Sequence, residues 1–172
     1  MFKNLKRKSI RKQIEKNLHK RDLTNVNSSL KTLGFLVNEM EFQDFENLYD
    51  FADFLGIQRK DVRVFSFVEF QKKAPSLRQN QLNNKDVSWG GVISNQNAQE
   101  FLEREFDILI GYYKGSHEFL DLLVSESHAK FKVGATGADQ RLFDLIIEID
   151  IDKTTAFKTE LKKYLTVLNK LK

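Results

Sequence analysis

Apolar residues recur along this chain in two rhythms: a helical one of about 3.6 residues and short, nearly continuous runs typical of buried strands. The helical rhythm comes first. Phe2, Leu5, Ile10, Ile14 and Leu18 fall near one stripe of residues 2–21, and Lys and Arg cover the remaining surface. Asp22 to Ser29 is polar and without period, so it reads as a linker. Leu30–Val37 (LKTLGFLV) then reads as a buried strand, and Glu41–Leu55 as an amphipathic helix closed by Gly56. Val62–Phe70 (VRVFSFVEF) is rich in β-branched and aromatic residues and reads as the next strand. Together they form a strand–helix–strand unit of the length a right-handed parallel crossover needs.

Lys72–Lys85 is polar, carries the single proline (Pro75) and reads as a long loop; Asp86–Ile93 reads as a short strand or extended segment. A helix is expected over Asn95–Glu105, with Asn95 or Asn97 as its cap. Phe106–Tyr113 (FDILIGYY) is the clearest strand, followed by a helix over 117–126 capped by Ser116. Ala129–Val133 and Leu142–Ile149 read as strands, the second following without a helix and so free to pair antiparallel at an edge. A long amphipathic helix over 153–171 completes the pattern. The order predicts an α/β domain with a mostly parallel, Rossmann-like three-layer sheet, helices on both faces and a basic N-terminal helix in front. The expected division is a helix and linker at 1–29 and one α/β domain at 30–172.

Charge changes this picture at one place. The 172 residues carry a net +4, yet residues 1–21 hold nine cations (Lys3, Lys6, Arg7, Lys8, Arg11, Lys12, Lys16, Lys20, Arg21) against Glu15 alone. That segment therefore carries +8 and everything after it −4. Such a density of like charge calls for a polyanion. RNA phosphates, on the ribosome, are the first expected partner, through all nine of these side chains. An anionic membrane surface is the second, with Phe2, Leu5, Ile10 and Ile14 inserting beneath the cations. The third is a helix that docks its apolar stripe on its own domain, on a second copy or on a protein partner. No aromatic residues are interleaved for base stacking within the helix, which argues against sequence-specific recognition.

Other chemistry is bounded by what the chain lacks. Without cysteine there is no disulfide, no thiol nucleophile and no Cys-based zinc site. No apolar run approaches the roughly 20 residues of a membrane helix. The basic start is not followed by the apolar core of a secretory signal, so a bacterial cytoplasm is the expected compartment. The serines stand in no nucleophile-elbow context, and His117 and His128 do not have metal-ligand spacing. No catalytic residue, metal or cofactor is expected.

In an open parallel sheet a ligand sits beyond the carboxyl ends of the strands, where strand order reverses. Candidates there are Asn38–Glu39, Trp89–Gly91, Tyr112–Ser116 and Gly134–Gly137. The turn from Gly111 to Ser116 could hold an anion with backbone N–H groups and Lys114, or simply turn the chain. Trp89 beside two glycines could floor a cleft or fill a corner of the core. The ligand-binding set is then Trp89, Tyr112, Lys114, Ser116 and Gly134. Asp144, Glu148, Asp150 and Asp152 alternate and are expected on the solvent face of an edge strand.

The segments GFLVNE (34–39), WGG (89–91), EFDILIGYY (105–113) and AKFKVG (129–134) resemble a family of small uncharacterised α/β proteins of Bacteroidota. That resemblance implies no activity and no catalytic residue. The FDILIGYY–helix–AKFKVG arrangement is also similar to the N-terminal half of heptosyltransferase-like glycosyltransferases, which implies a sugar-nucleotide-binding domain without the fold's second half. The leading expectation is a non-catalytic cytoplasmic protein that binds RNA through its basic helix. The alternatives are a small-ligand or sugar-nucleotide domain and a peripheral membrane protein.

Overall fold

The structure, a computed structural model, describes residues 2–171. Among these residues six strands form one sheet: β1 (Leu33–Asn38), β2 (Val62–Val68), β3 (Gln81–Asn83), β4 (Ile108–Tyr112), β5 (Phe131–Gly134) and β6 (Leu145–Ile146). Every neighbouring pair is parallel and the order is β3-β2-β1-β4-β5-β6. The order reverses between β1 and β4, as in a Rossmann-like fold.

Both faces are covered, because alternate strand residues are apolar on both sides. Leu33, Phe35 and Val37 of β1 and Ile108, Ile110 and Tyr112 of β4 meet α2 (Phe45–Tyr49), α3 (Phe51–Leu55) and α6 (Thr154–Val167). Leu36, Leu109 and Tyr113 face the opposite way, toward α1 (Phe2–Lys20), α4 (Gln96–Glu103) and α5 (Glu118–Glu126). The first helix therefore belongs to one of the two covering layers.

Several elements depart from the sequence pattern for local reasons. The helix expected over 41–55 is two short helices that meet at Asp50, the first capped by Asp44 accepting the Asn47 N–H. Gly56 closes the second with φ 78°, as its position suggested. β3 lies inside the segment read as a loop; only Leu82 among its three residues is apolar. Asp86–Ile93, read as a short strand or extended segment, folds into a turn closed by an antiparallel bridge between Val87 and Ile93.

The last strand is shorter than expected, and β6 pairs parallel rather than antiparallel. Asp144 lies before it, accepting the Lys132 N–H at 2.8 Å, so the carboxylates do not line one solvent face. His117, not Ser116, caps α5, its Nδ1 accepting the Leu120 N–H at 3.2 Å.

The loop after β1 folds back across the reversal point. Glu41 and Phe42 both donate their N–H groups to the Asn38 carbonyl. The Phe42 ring packs edge-on against Tyr112, and the Glu41 carboxylate accepts the Lys114 N–H at 3.1 Å. The carboxyl ends of β1 and β4 are thus bridged by the chain itself.

Candidate functional site

Helix α1 forms because its sequence has no Gly or Pro and is dominated by Lys, Arg, Leu and Ile, most of them good helix formers. It docks through a narrow stripe. Ile10 and Ile14 are buried against the α5 layer and Leu18 is partly so. Each buried isoleucine contributes about 1.5–3 kcal/mol. Phe2 and Leu5 do not join them and remain 67 % and 53 % exposed. At 3.6 residues per turn Leu5 lies about 140° round the helix from Ile10, so one stripe cannot hold both. The four side chains that a membrane would need together are therefore divided between core and surface.

Polar contacts complete the docking. Asn17 Nδ2 donates to Ser125 Oγ at 3.0 Å, and Gln13 Nε2 to Asn17 Oδ1 at 2.9 Å. At its C-terminal end the Arg21 guanidinium forms a two-pronged pair with Asp144, at 2.7 and 2.5 Å, in which both side chains are largely buried. Lys6 Nζ donates to the Asn84 carbonyl at 2.9 Å and lies over the Phe119 ring, and burial lowers its pKa from the usual lysine value. Arg7 pairs with Glu118, and Glu15 is held by Arg141.

This divides the nine cations into two groups. Lys6, Arg7 and Arg21 turn to partners in the domain. Lys3, Lys8, Arg11, Lys12, Lys16 and Lys20 are exposed, and no carboxylate among the described residues pairs with them. Lys8, Lys12, Lys16 and Lys20 follow at i, i+4 and make a gently winding ridge about 18 Å long. Neighbouring like charges at that spacing repel, so the ridge is electrostatically unsatisfied as it stands.

The residues expected to bind a small ligand do not converge. Tyr112 is fully buried on the α6 face, where its hydroxyl donates to the Ile151 carbonyl at 2.5 Å and burial raises its pKa to about 12. Gly134 lies beside Gly111 under the Phe143 ring; a Cβ at either glycine would stand 2.8 Å from that ring. Lys114 is exposed and paired with Asp152 at 2.8 Å. Ser116 borders a cleft of about 450 Å³ on one flank of α1, with Arg7, Arg11, Asp121 and Arg141.

In that cleft the Asp121 carboxyl accepts the Tyr113 hydroxyl at 2.6 Å. Burial, reinforced by Asp139 and opposed by the hydrogen bonds from Tyr113 and His117, raises the Asp121 pKa to about 6. It ties strand β4 to the first turn of α5. Among the described residues no group of His, Asp or Glu is arranged to hold a metal ion. Among the described residues no helix is long and apolar enough to cross a membrane.

Trp89 lies on the other flank of α1. Its turn rests on the helix because Gly91, with φ 77°, has no side chain: a Cβ there would stand 3.4 Å from the Ser9 carbonyl and from Gln13. Trp89 is 57 % exposed and meets Phe2 edge-to-face, with ring centroids 5.6 Å apart. The sequence places these two aromatics 87 positions apart, and the local pattern of the helix gives no sign of their meeting.

A model described as a family of unknown function, DUF6913, matches residues 6–168 of the chain. No curated protein and no solved structure matches it.

Proposed function

The chain belongs to DUF6913, a family of unknown function, and we propose that it is a non-catalytic RNA-binding protein of the bacterial cytoplasm, acting on the ribosome. The observation that carries this reading is the outward ridge of unpaired cations left after α1 has docked. Docking holds the charges in a fixed row, so a polyanion meets a preformed track and relieves its internal repulsion. Lys8, Lys12, Lys16 and Lys20 of the ridge contact phosphates, Lys3 and Arg11 on other sides of the helix add to its positive field, and Lys6, Arg7 and Arg21 keep the helix in place.

Four phosphate contacts give single-stranded RNA a log–log salt slope of about −3. Anisotropy of labelled RNA between about 50 and 200 mM salt measures it. The Lys8→Ala/Lys12→Ala/Lys16→Ala variant should bind at least tenfold more weakly at low salt and show a slope shallower by about 2. It should also leave the ribosomal fraction on sedimentation. Full binding by this variant, or no binding by the native chain at low salt, would refute the proposal.

A second reading, a sugar-nucleotide domain akin to the N-terminal half of heptosyltransferase-like enzymes, has one observation in its favour. A cavity of about 690 Å³ opens near the carboxyl end of β2, lined by Glu39, Gln43, Arg78, Gln81 and Asn83. The Glu39 carboxylate already accepts Ser66, Gln81 and Arg78, which ranks this reading below the first. A thermal shift with a nucleotide sugar, absent in Gln43→Ala, would reverse that ranking.

A further inference from the structure

The exposed indole of Trp89 is not a loose loop tip. Its turn is closed by hydrogen bonds from Ser88 N–H to the Val92 carbonyl (2.9 Å), from Gly91 N–H to the Ser88 carbonyl (3.0 Å) and from Val92 N–H to Ser88 Oγ (3.1 Å). Val87 and Ile93 on either side are buried in the core. Gly91 then presses the turn onto α1. The ring is held outward by a rigid frame, and Phe2 braces it from the edge at an interplanar angle of 77°. Leu5 and Val92 extend the exposed apolar surface around it.

Position relative to charge gives this patch its meaning. On α1, Leu5, Ser9, Lys12 and Lys16 fall within about 60° of one another, and Ser9 is the residue Gly91 rests upon. An aromatic platform therefore borders the cationic ridge. A track for phosphates beside a flat aromatic ring is the arrangement by which proteins hold single strands, with the backbone on the cations and an unpaired base on the ring. A duplex keeps its bases stacked internally and would use the ridge alone.

We infer that Trp89, braced by Phe2, stacks an unpaired base of single-stranded RNA whose phosphates lie along Lys12 and Lys16. This inference rests on the reading of α1 as an RNA-binding helix and narrows its target to single-stranded segments. The row of cations runs along α1 from Lys8 to Lys20 while the apolar patch sits at one flank, which fits a linear polyanion better than a flat lipid surface.

Because Trp89 is the single tryptophan in the chain, its emission reports the contact directly. The probes are a single-stranded homopolymer RNA, a duplex RNA of equal length and vesicles containing phosphatidylserine. The expected result is quenching by the single strand and little change with the duplex. Trp89→Ala should weaken single-strand binding about tenfold or more and leave duplex binding unchanged, with Trp89→Phe retaining most of the affinity. Single-strand binding that leaves emission unchanged and is indifferent to Trp89→Ala would overturn the stacking role while sparing the basic-helix reading. Absence of any RNA binding at low salt would overturn both. A blue shift with vesicles and no response to RNA would assign the patch to lipid and overturn the inference.

Discussion

Helices α1 and α6 lie on opposite faces of the sheet, and each brings several lysines to a helix with one apolar side. α6 docks through Phe157, Leu161 and Leu165, all fully buried. Its lysines lie back on the protein: Lys158 and Lys162 sit over the Phe54 ring at 5.2 and 4.7 Å, and Lys163 over Tyr164. α1 docks through two isoleucines and a set of polar contacts, and most of its lysines stand clear. α1 carries eight cations and α6 three, but number alone does not say which of them stay free. What separates them is whether the domain supplies aromatic faces and carboxylates to receive the charge.

The largest test of this contrast is in the docking itself. Phe157→Ala should destabilise the protein by about 3–5 kcal/mol, whereas Ile14→Ala on α1 should fall near the lower end of the range for buried isoleucine, about 2 kcal/mol. Urea denaturation of both variants checks it, and equal losses would erase the distinction between the two docking modes.

A second test uses Lys132, a lysine enclosed in the α1–α5 layer. Lys132 is buried on β5, its Nζ donating to the Val124 carbonyl at 2.5 Å. Burial and the nearby Arg21 guanidinium lower its pKa to about 7, against the pull of Asp144. The unfolded chain holds this proton more tightly than the folded one, so the penalty is full below pH 7 and fades as pH rises toward the ordinary lysine value. Stability from this group should rise by about 2 kcal/mol between pH 7 and pH 9. Thermal unfolding of Lys132→Met across that range should lack this rise; a profile parallel to that of the native protein would contradict it.

The smallest effect concerns the exposed lysines. Lys162→Ala should lose about 0.5–1 kcal/mol as its ring contact disappears, whereas Lys12→Ala should stay within about 0.5 kcal/mol of the native protein. Chemical denaturation resolves the difference if the two are measured side by side, and a matching loss in Lys12→Ala would mean that its charge has an unrecognised partner.

Legibility followed the range of the interactions. β1, β2 and β4 could be read because strands buried on both faces are almost continuously apolar. β3 could not, since two of its three residues are Gln and Asn and its place is set by pairing with β2. The helix over 41–55 had the right period but breaks at Asp50, a local choice the apolar pattern does not encode. At the candidate site the nine cations were legible as a group. Their division was not, because the pair Arg21–Asp144 joins positions 123 apart. Trp89 stood out beside its glycines, but its contact with Phe2, 87 positions away, is invisible to any local window.

The same long-range pair has a kinetic side. During synthesis α1 leaves the ribosome well before α5 and Asp144 have been made. For that interval Ile10, Ile14, Lys6, Arg7 and Arg21 are without their later partners, and the emerging segment is both sticky and strongly basic. Closing a loop of this span is slow and entropically unfavourable, so α1 should be among the last elements to settle. The chain therefore presents its most polyanion-seeking surface before the partners that fix it exist, and in its least constrained form.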